Sequence, residues 1–73
     1  MKEYYFEQYQ KSVLKLEMAR VGYENKMKEY ATQLLNADES TYDSTIKAIS
    51  LLQTAFAEIR EDAEHDKRRY QDA

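Results

Sequence analysis

The fold of this chain is decided by the short stretch NADES at residues 36–40, the one place where a helix is able to stop. The 73 residues contain no proline and a single glycine, so almost nothing else interrupts helical structure. Asn36 is suited to the left-handed conformation that closes a helix. Ser40 followed by Asp43 has the spacing of a capping box, which opens the next helix. The stretch is therefore expected to separate two helices.

Two long helices joined by so short a turn must lie side by side and antiparallel. We expect the first helix over about residues 3–35, the turn over 36–40 and the second helix over about 41–70. The predicted fold class is all-α. Residues 1–73 are expected to form one antiparallel two-helix hairpin domain with a coiled-coil-like seam, which a partner or a second copy would complete into a bundle.

A heptad pattern runs along both predicted helices. Apolar and aromatic residues recur at alternating spacings of three and four, as they do where one helix packs along another. The first stripe is Phe6, Tyr9, Val13, Leu16, Arg20, Tyr23, Met27, Tyr30 and Leu34, and the second is Tyr42, Thr45, Ile49, Leu52, Phe56, Ile59, Ala63, Asp66 and Tyr70. Antiparallel pairing should bring the stripes together as the seam, with Phe6 against Tyr70.

Arg20 is the one charged residue on the first stripe. One interpretation is that its side chain stacks on Phe56, or pairs with Glu58 or Glu61, at the edge of the seam. The other is that Arg20 is a polar position that sets the register of a second chain.

The two chain ends differ in composition. Tyr4, Tyr5, Phe6 and Tyr9 form an aromatic cluster, whereas residues 61–69 carry only one small apolar side chain. We expect that charged segment to be solvated and partly frayed, and the aromatic cluster to anchor a partner. The alternative is that the cluster folds over the last turns of the second helix, against Tyr70.

A second apolar set lies off the seam. Leu14, Met18 and Val21 follow an i, i+4, i+7 spacing and form an outer stripe on the first helix, and Leu51 points off the seam of the second. A contiguous exposed apolar set indicates a binding surface. The predicted partner-binding residues are Tyr4, Tyr5, Phe6, Tyr9, Leu14, Met18, Val21 and Leu51.

Composition disfavours several classes of protein. The net charge of −3 argues against a nucleic-acid binder, because phosphate contacts need a basic face. No stretch approaches the length of apolar sequence that crosses a membrane, and the N-terminus lacks a signal-peptide core. We therefore expect no membrane span and a cytoplasmic location. The absence of cysteine removes disulfides and thiolate metal sites.

The sequence offers little for catalysis. It contains no nucleophile constellation and no glycine-rich phosphate loop. Asp62 and His65 have an i, i+3 spacing that di-metal bundles use, but Lys11 and Ser12 should oppose them, and these supply no carboxylate. A two-helix hairpin is also expected to lack a cavity of a few hundred Å³. We expect no enzyme activity, no metal and no cofactor.

One part of the chain resembles a known family. Tyr42 opens the second helix after a short polar turn, and residues 46–59 read IKAISLLQTAFAEI. This region, about one fifth of the chain, is similar to the small co-chaperones of type III secretion needle subunits. The resemblance implies a hairpin that binds a tetratricopeptide-like chaperone and helps to keep the needle subunit soluble.

Three functions follow as hypotheses. The first is a small adaptor or co-chaperone that docks its hairpin on a larger helical partner. The second is a homodimeric four-helix bundle that acts as a scaffold or regulator. The third is a small phage-type inhibitor that uses an acidic surface.

Overall fold

The computed structural model describes residues 1–73 and confirms the all-α hairpin. Helix α1 spans Lys2–Leu35 and helix α2 spans Glu39–Asp72, each 34 residues long, and the two pack along each other. The Cα atoms extend over 55 × 16 × 11 Å, and their radius of gyration is 16.6 Å. A compact domain of this length has a radius of gyration of about 11 Å, so the molecule is a rod.

The turn is shorter than predicted and is built differently. Helix α2 begins two residues earlier than expected because Asp38, rather than Ser40, is its N-cap. The Asp38 backbone is extended, and the Thr41 N–H donates to its carboxylate over 2.8 Å. These hydrogen bonds hold the pKa of the Asp38 carboxyl below its usual value. The predicted capping box is therefore wrong, because Ser40 already lies inside the helix.

Asn36 does not adopt the predicted left-handed conformation. Its φ is −117° and its ψ is 12°, and no residue of the chain has a positive φ. Helix α1 instead ends in a tightened turn, in which the Asn36 N–H donates to the Gln33 carbonyl over 3.3 Å. Because Asp38 starts the next helix almost at once, the chain reverses direction without a left-handed residue.

The seam of α2 follows its predicted stripe closely. Thr45 and Ala63 are buried, and the other stripe residues are half-buried, except Tyr42, which is exposed. The pairing also holds, because the ring centroids of Phe6 and Tyr70 lie 5.1 Å apart. The α2 stripe is therefore the face that packs on α1.

The seam of α1 departs from its predicted stripe in the N-terminal half. Tyr23, Met27, Tyr30 and Leu34 are half-buried as predicted. Nearer the N-terminus Tyr9 and Leu16 are also half-buried as predicted. Tyr5, Ser12 and Ala19 are half-buried there in place of the predicted seam residues Phe6, Val13 and Arg20, which are exposed. A straight α-helix has 3.6 residues per turn and drifts away from a strict heptad stripe. Over the length of α1 this drift amounts to one residue position.

Arg20 consequently lies outside the seam. Its Nε donates to Glu17 over 3.0 Å and its Nη1 donates to Glu24 over 2.7 Å, so both carboxylates belong to its own helix. The hydrogen bond to Arg20 lowers the pKa of the Glu17 carboxyl. Tyr23 is the residue that stacks on Phe56, with ring centroids 4.7 Å apart. The predicted contacts of Arg20 with α2 are therefore wrong.

The hairpin has almost no interior. Only Thr45 and Ala63 are buried, and no large side chain is fully buried. A chain of this size already gains barely enough from burial to offset the entropy lost on folding. Neither helix is long and apolar enough to cross a membrane.

Candidate interaction surface

The outer stripe is a contiguous exposed apolar feature of α1. Leu14 is 63% exposed, Met18 69% and Val21 47%. The residues that follow the packed side of the helix in this region are Ser12, Leu16 and Ala19, all half-buried. The outer stripe therefore faces away from α2, and nothing in the hairpin covers it.

The outer stripe continues towards the N-terminus through residues assigned to the seam from the sequence. Phe6, Tyr9, Val13 and Leu14 line one shallow groove of about 550 Å³ together with Gln10 and Glu17. Phe6 and Val13 are each exposed by about two fifths. A heptad pattern of 3.5 residues per turn places Val13 in the seam, whereas the 3.6 residues per turn of a straight α-helix place it on the surface. Phe6 thus joins the outer stripe in one continuous apolar surface.

Leu51 is exposed on the other helix. It is 74% exposed and lies one turn before Ala55. A separate groove of about 280 Å³, which Leu51 does not line, is formed mainly by small and apolar residues of both helices, including Ala19, Gly22 and Ala55. No groove of the hairpin joins Leu51 to the outer stripe, so the predicted binding residues fall into separate patches.

The aromatic cluster is partly covered by the end of α2. The ring of Tyr70 lies 5.1 Å from that of Phe6 and 6.3 Å from that of Tyr9, measured between centroids. The Arg69 guanidinium lies 5.0 Å from the ring of Tyr5, within range of a cation–π interaction. These contacts correspond to the alternative in which the cluster folds onto α2.

The members of the aromatic cluster differ in how much surface they leave free. Tyr4 is 54% exposed and Phe6 is 41% exposed, whereas Tyr5 and Tyr9 are half-buried. The charged segment is helical in the structure, because α2 continues to Asp72. Ala63 packs at the buried seam, and the Tyr70 ring holds the last turns against α1.

A polar groove lies on one side of the seam, in the half nearer the chain ends. The Ser12 hydroxyl donates to the Asp66 carboxylate, which explains how a charged residue is accommodated on the α2 stripe. Asp62 and His65 line the same groove with Lys15, and its volume is about 270 Å³. This groove, like the others of the hairpin, is open along the surface and is not an enclosed cavity.

Comparison with known proteins gives no match. No protein-family model matches the chain, and no curated protein or solved structure matches it at a significant level.

Proposed function

We propose that this chain is a non-enzymatic protein–protein interaction module, a small adaptor or co-chaperone that docks its hairpin on a larger helical partner. One observation carries the proposal: the hairpin buries only two residues but leaves Leu14, Met18 and Val21 in contact with solvent. Removing apolar surface from water is favourable by about 25 cal/mol per Å². A partner that covers the outer stripe therefore supplies burial that the hairpin lacks.

The spacing of the outer stripe fits a helix that docks into a groove. Helices recognised in this way present anchors at i, i+3 or i+4, and i+7. Leu14, Met18 and Val21 have this spacing on one exposed side of α1. Met18 adds a flexible side chain that adapts to the shape of a partner. These features support a partner whose own helices form an apolar groove.

The resemblance to co-chaperones of type III secretion needle subunits supplies a candidate partner class. It suggests a tetratricopeptide-like chaperone, whose paired helices form grooves of this kind. Within residues 42–59, Tyr42, Ile46 and Leu51 are exposed and available for such a contact. A function in type III secretion is part of the proposal.

The proposal is tested by affinity capture from an extract of the cell that makes the protein. Three baits are compared: the natural chain, Leu14→Glu with Val21→Glu, and the control Gln33→Glu with Gln53→Glu. Both control positions are exposed, so the control adds the same charge away from the outer stripe. We expect the natural chain and the control to retain the same protein and the outer-stripe variant to lose it. Identical capture by all three baits would contradict the proposal.

A further inference from the structure

The outer face of α1 carries an antisymmetric charge pattern. Glu7, Leu14, Val21 and Lys28 are spaced seven residues apart, which places them along one side of the helix. All four are exposed. Read from either end, the row has a charge, two apolar residues and a charge, and the two charges are opposite.

This pattern matches a reversed copy of itself. When two such helices lie antiparallel about a twofold axis between residues 17 and 18, Leu14 faces the second copy's Val21. The same rotation places Glu7 opposite the second copy's Lys28, and the symmetry repeats each contact. A parallel arrangement would instead place Glu7 on Glu7 and Lys28 on Lys28, so the charges favour the antiparallel one.

The groups that this arrangement needs are free in the hairpin. The three ion pairs of the hairpin involve neither Glu7 nor Lys28. Glu17, beside the axis, has its charge balanced by Arg20 at hydrogen-bond distance. Met18 lies next to the axis and is the most exposed residue of the outer stripe. Association would therefore bury apolar side chains without leaving an unpaired charge at the centre.

We propose that a second copy of this chain is the occupant of the outer stripe, docked antiparallel across the outer face of α1. The inference rests on the proposed function in that it uses the same docking surface, for which a second copy and a larger partner would compete. Leu14, Met18 and Val21 supply the burial, and the two Glu7–Lys28 pairs set the orientation. Exposed ion pairs contribute modestly to affinity but discriminate well between arrangements.

Charge reversal tests the pairing. Dimerisation is measured by light scattering across protein concentration at low salt for the natural chain, Glu7→Lys, Lys28→Glu and the double variant. Each single reversal turns two attractive pairs into two repulsive ones, so it should weaken dimerisation roughly tenfold. The double reversal should restore the natural dissociation constant. Circular dichroism at equal concentration checks that every variant remains helical.

Orientation is tested separately through engineered cysteines, because the chain has none of its own. The antiparallel arrangement brings Gln10 close to the second copy's Asn25. A mixture of Gln10→Cys and Asn25→Cys proteins should therefore form the mixed disulfide in preference to either symmetric one. A preference for the symmetric disulfides would overturn the inference.

Two further outcomes separate this inference from the proposed function. A dimer whose dissociation constant is unaffected by all charge variants would overturn the antiparallel docking. A helical monomer at every concentration would overturn self-association altogether. In either case the proposed docking function is tested by the capture from cell extract, whose result depends on the outer stripe and not on Glu7 and Lys28.

Discussion

At the scale of single residues, Gly22 is a position that the hairpin itself does not require. Its φ is not positive, and a methyl group placed on it would meet no atom within 4 Å. Glycine inside a helix loses more backbone freedom on folding than alanine does. Gly22→Ala should therefore raise the free energy of unfolding by about 0.5–1 kcal/mol, measured by urea denaturation.

The matched control is Ser50→Gly, at an exposed position on α2, which should destabilise the hairpin. If Gly22→Ala lowered the stability instead, the added methyl group would have to collide with a helix from outside the hairpin. Gly22 lines the groove beside Ala55, which is where such a helix would approach.

Asp38 gives the turn a measurable pH dependence. Its folded pKa is lowered by hydrogen bonds, chiefly from Thr41. At pH values above the ordinary pKa of aspartate, the Asp38 carboxylate makes its full contribution to stability. This contribution is lost as the pH falls through the lowered pKa of the folded state. The natural chain should melt at a higher temperature than Asp38→Ala near neutral pH, and the difference should shrink in acid.

Asp38→Asn is the reference for this experiment, because asparagine caps a helix without titrating in this range. Its advantage over Asp38→Ala should stay constant as the pH falls. Thermal melts followed by circular dichroism provide the measurement. A difference between the natural chain and Asp38→Ala that persists unchanged into acid would show that the cap does not depend on the carboxylate charge.

At the scale of the helices, the sequence predicts α2 better than α1. The two buried residues of the α2 stripe, Thr45 and Ala63, both have small side chains, which allow α1 to approach closely. On α1 a heptad stripe and a 3.6-residue stripe coincide in the C-terminal half and diverge in the N-terminal half, from Ala19 to Tyr5. Which one is buried depends on how far the helices supercoil. That is a property of the pair, which one helix alone does not reveal.

The candidate site was predictable to a similar degree. The outer stripe was visible in the sequence, because residues so far round the helix from the seam stay exposed in either register. The exposure of Val13 and the coverage of Tyr5 were not visible in the sequence, because both depend on the one-residue drift of the α1 seam. The cap at Asp38 was missed because Ser40 satisfies the same spacing rule two residues later.

Phe56 should be the most sensitive position of the seam. Its ring stacks on Tyr23, but it is only half-buried. Phe56→Ala should lower the free energy of unfolding by about 2 kcal/mol, which is less than the 3–5 kcal/mol typical of a fully buried phenylalanine. Leu51→Ala, exposed on the same helix, is the control and should change stability little. If Phe56→Ala lowered the free energy of unfolding by less than about 1 kcal/mol in urea melts, the assignment of Phe56 to the seam would be wrong.

Deleting residues 1–9 should loosen the far end of α2. The deletion removes Phe6 and Tyr9, whose rings cover Tyr70, and Tyr5, which faces Arg69. We expect lost helicity and faster amide exchange beyond Ala63, with the region near the turn unaffected. Deletion of 71–73, which removes none of these rings, is the control. Unchanged exchange beyond Ala63 would show that the aromatic contacts do not hold α2 in place.

At the scale of the whole molecule, folding and association are separable at the outer stripe. Leu14→Glu with Val21→Glu places charges that stay hydrated in the hairpin and lose water only at an interface. Helicity by circular dichroism should be retained in dilute solution, whereas association measured by light scattering should be abolished. Gln33→Glu with Gln53→Glu should leave both unchanged. Unfolding of the outer-stripe variant as a monomer would show that this surface belongs to the core.

The hairpin topology also sets the order in which the chain closes. Contacts near Asp38 join residues that are close in sequence, so closing them costs little loop entropy, and each further contact towards the ends adds to an existing pair. The rings around Tyr70 join the residues that are farthest apart, and they meet last. We therefore expect folding to proceed from the turn towards the chain ends. The contacts between the aromatic cluster and Tyr70 form last, and we expect their loss to be the first step of unfolding.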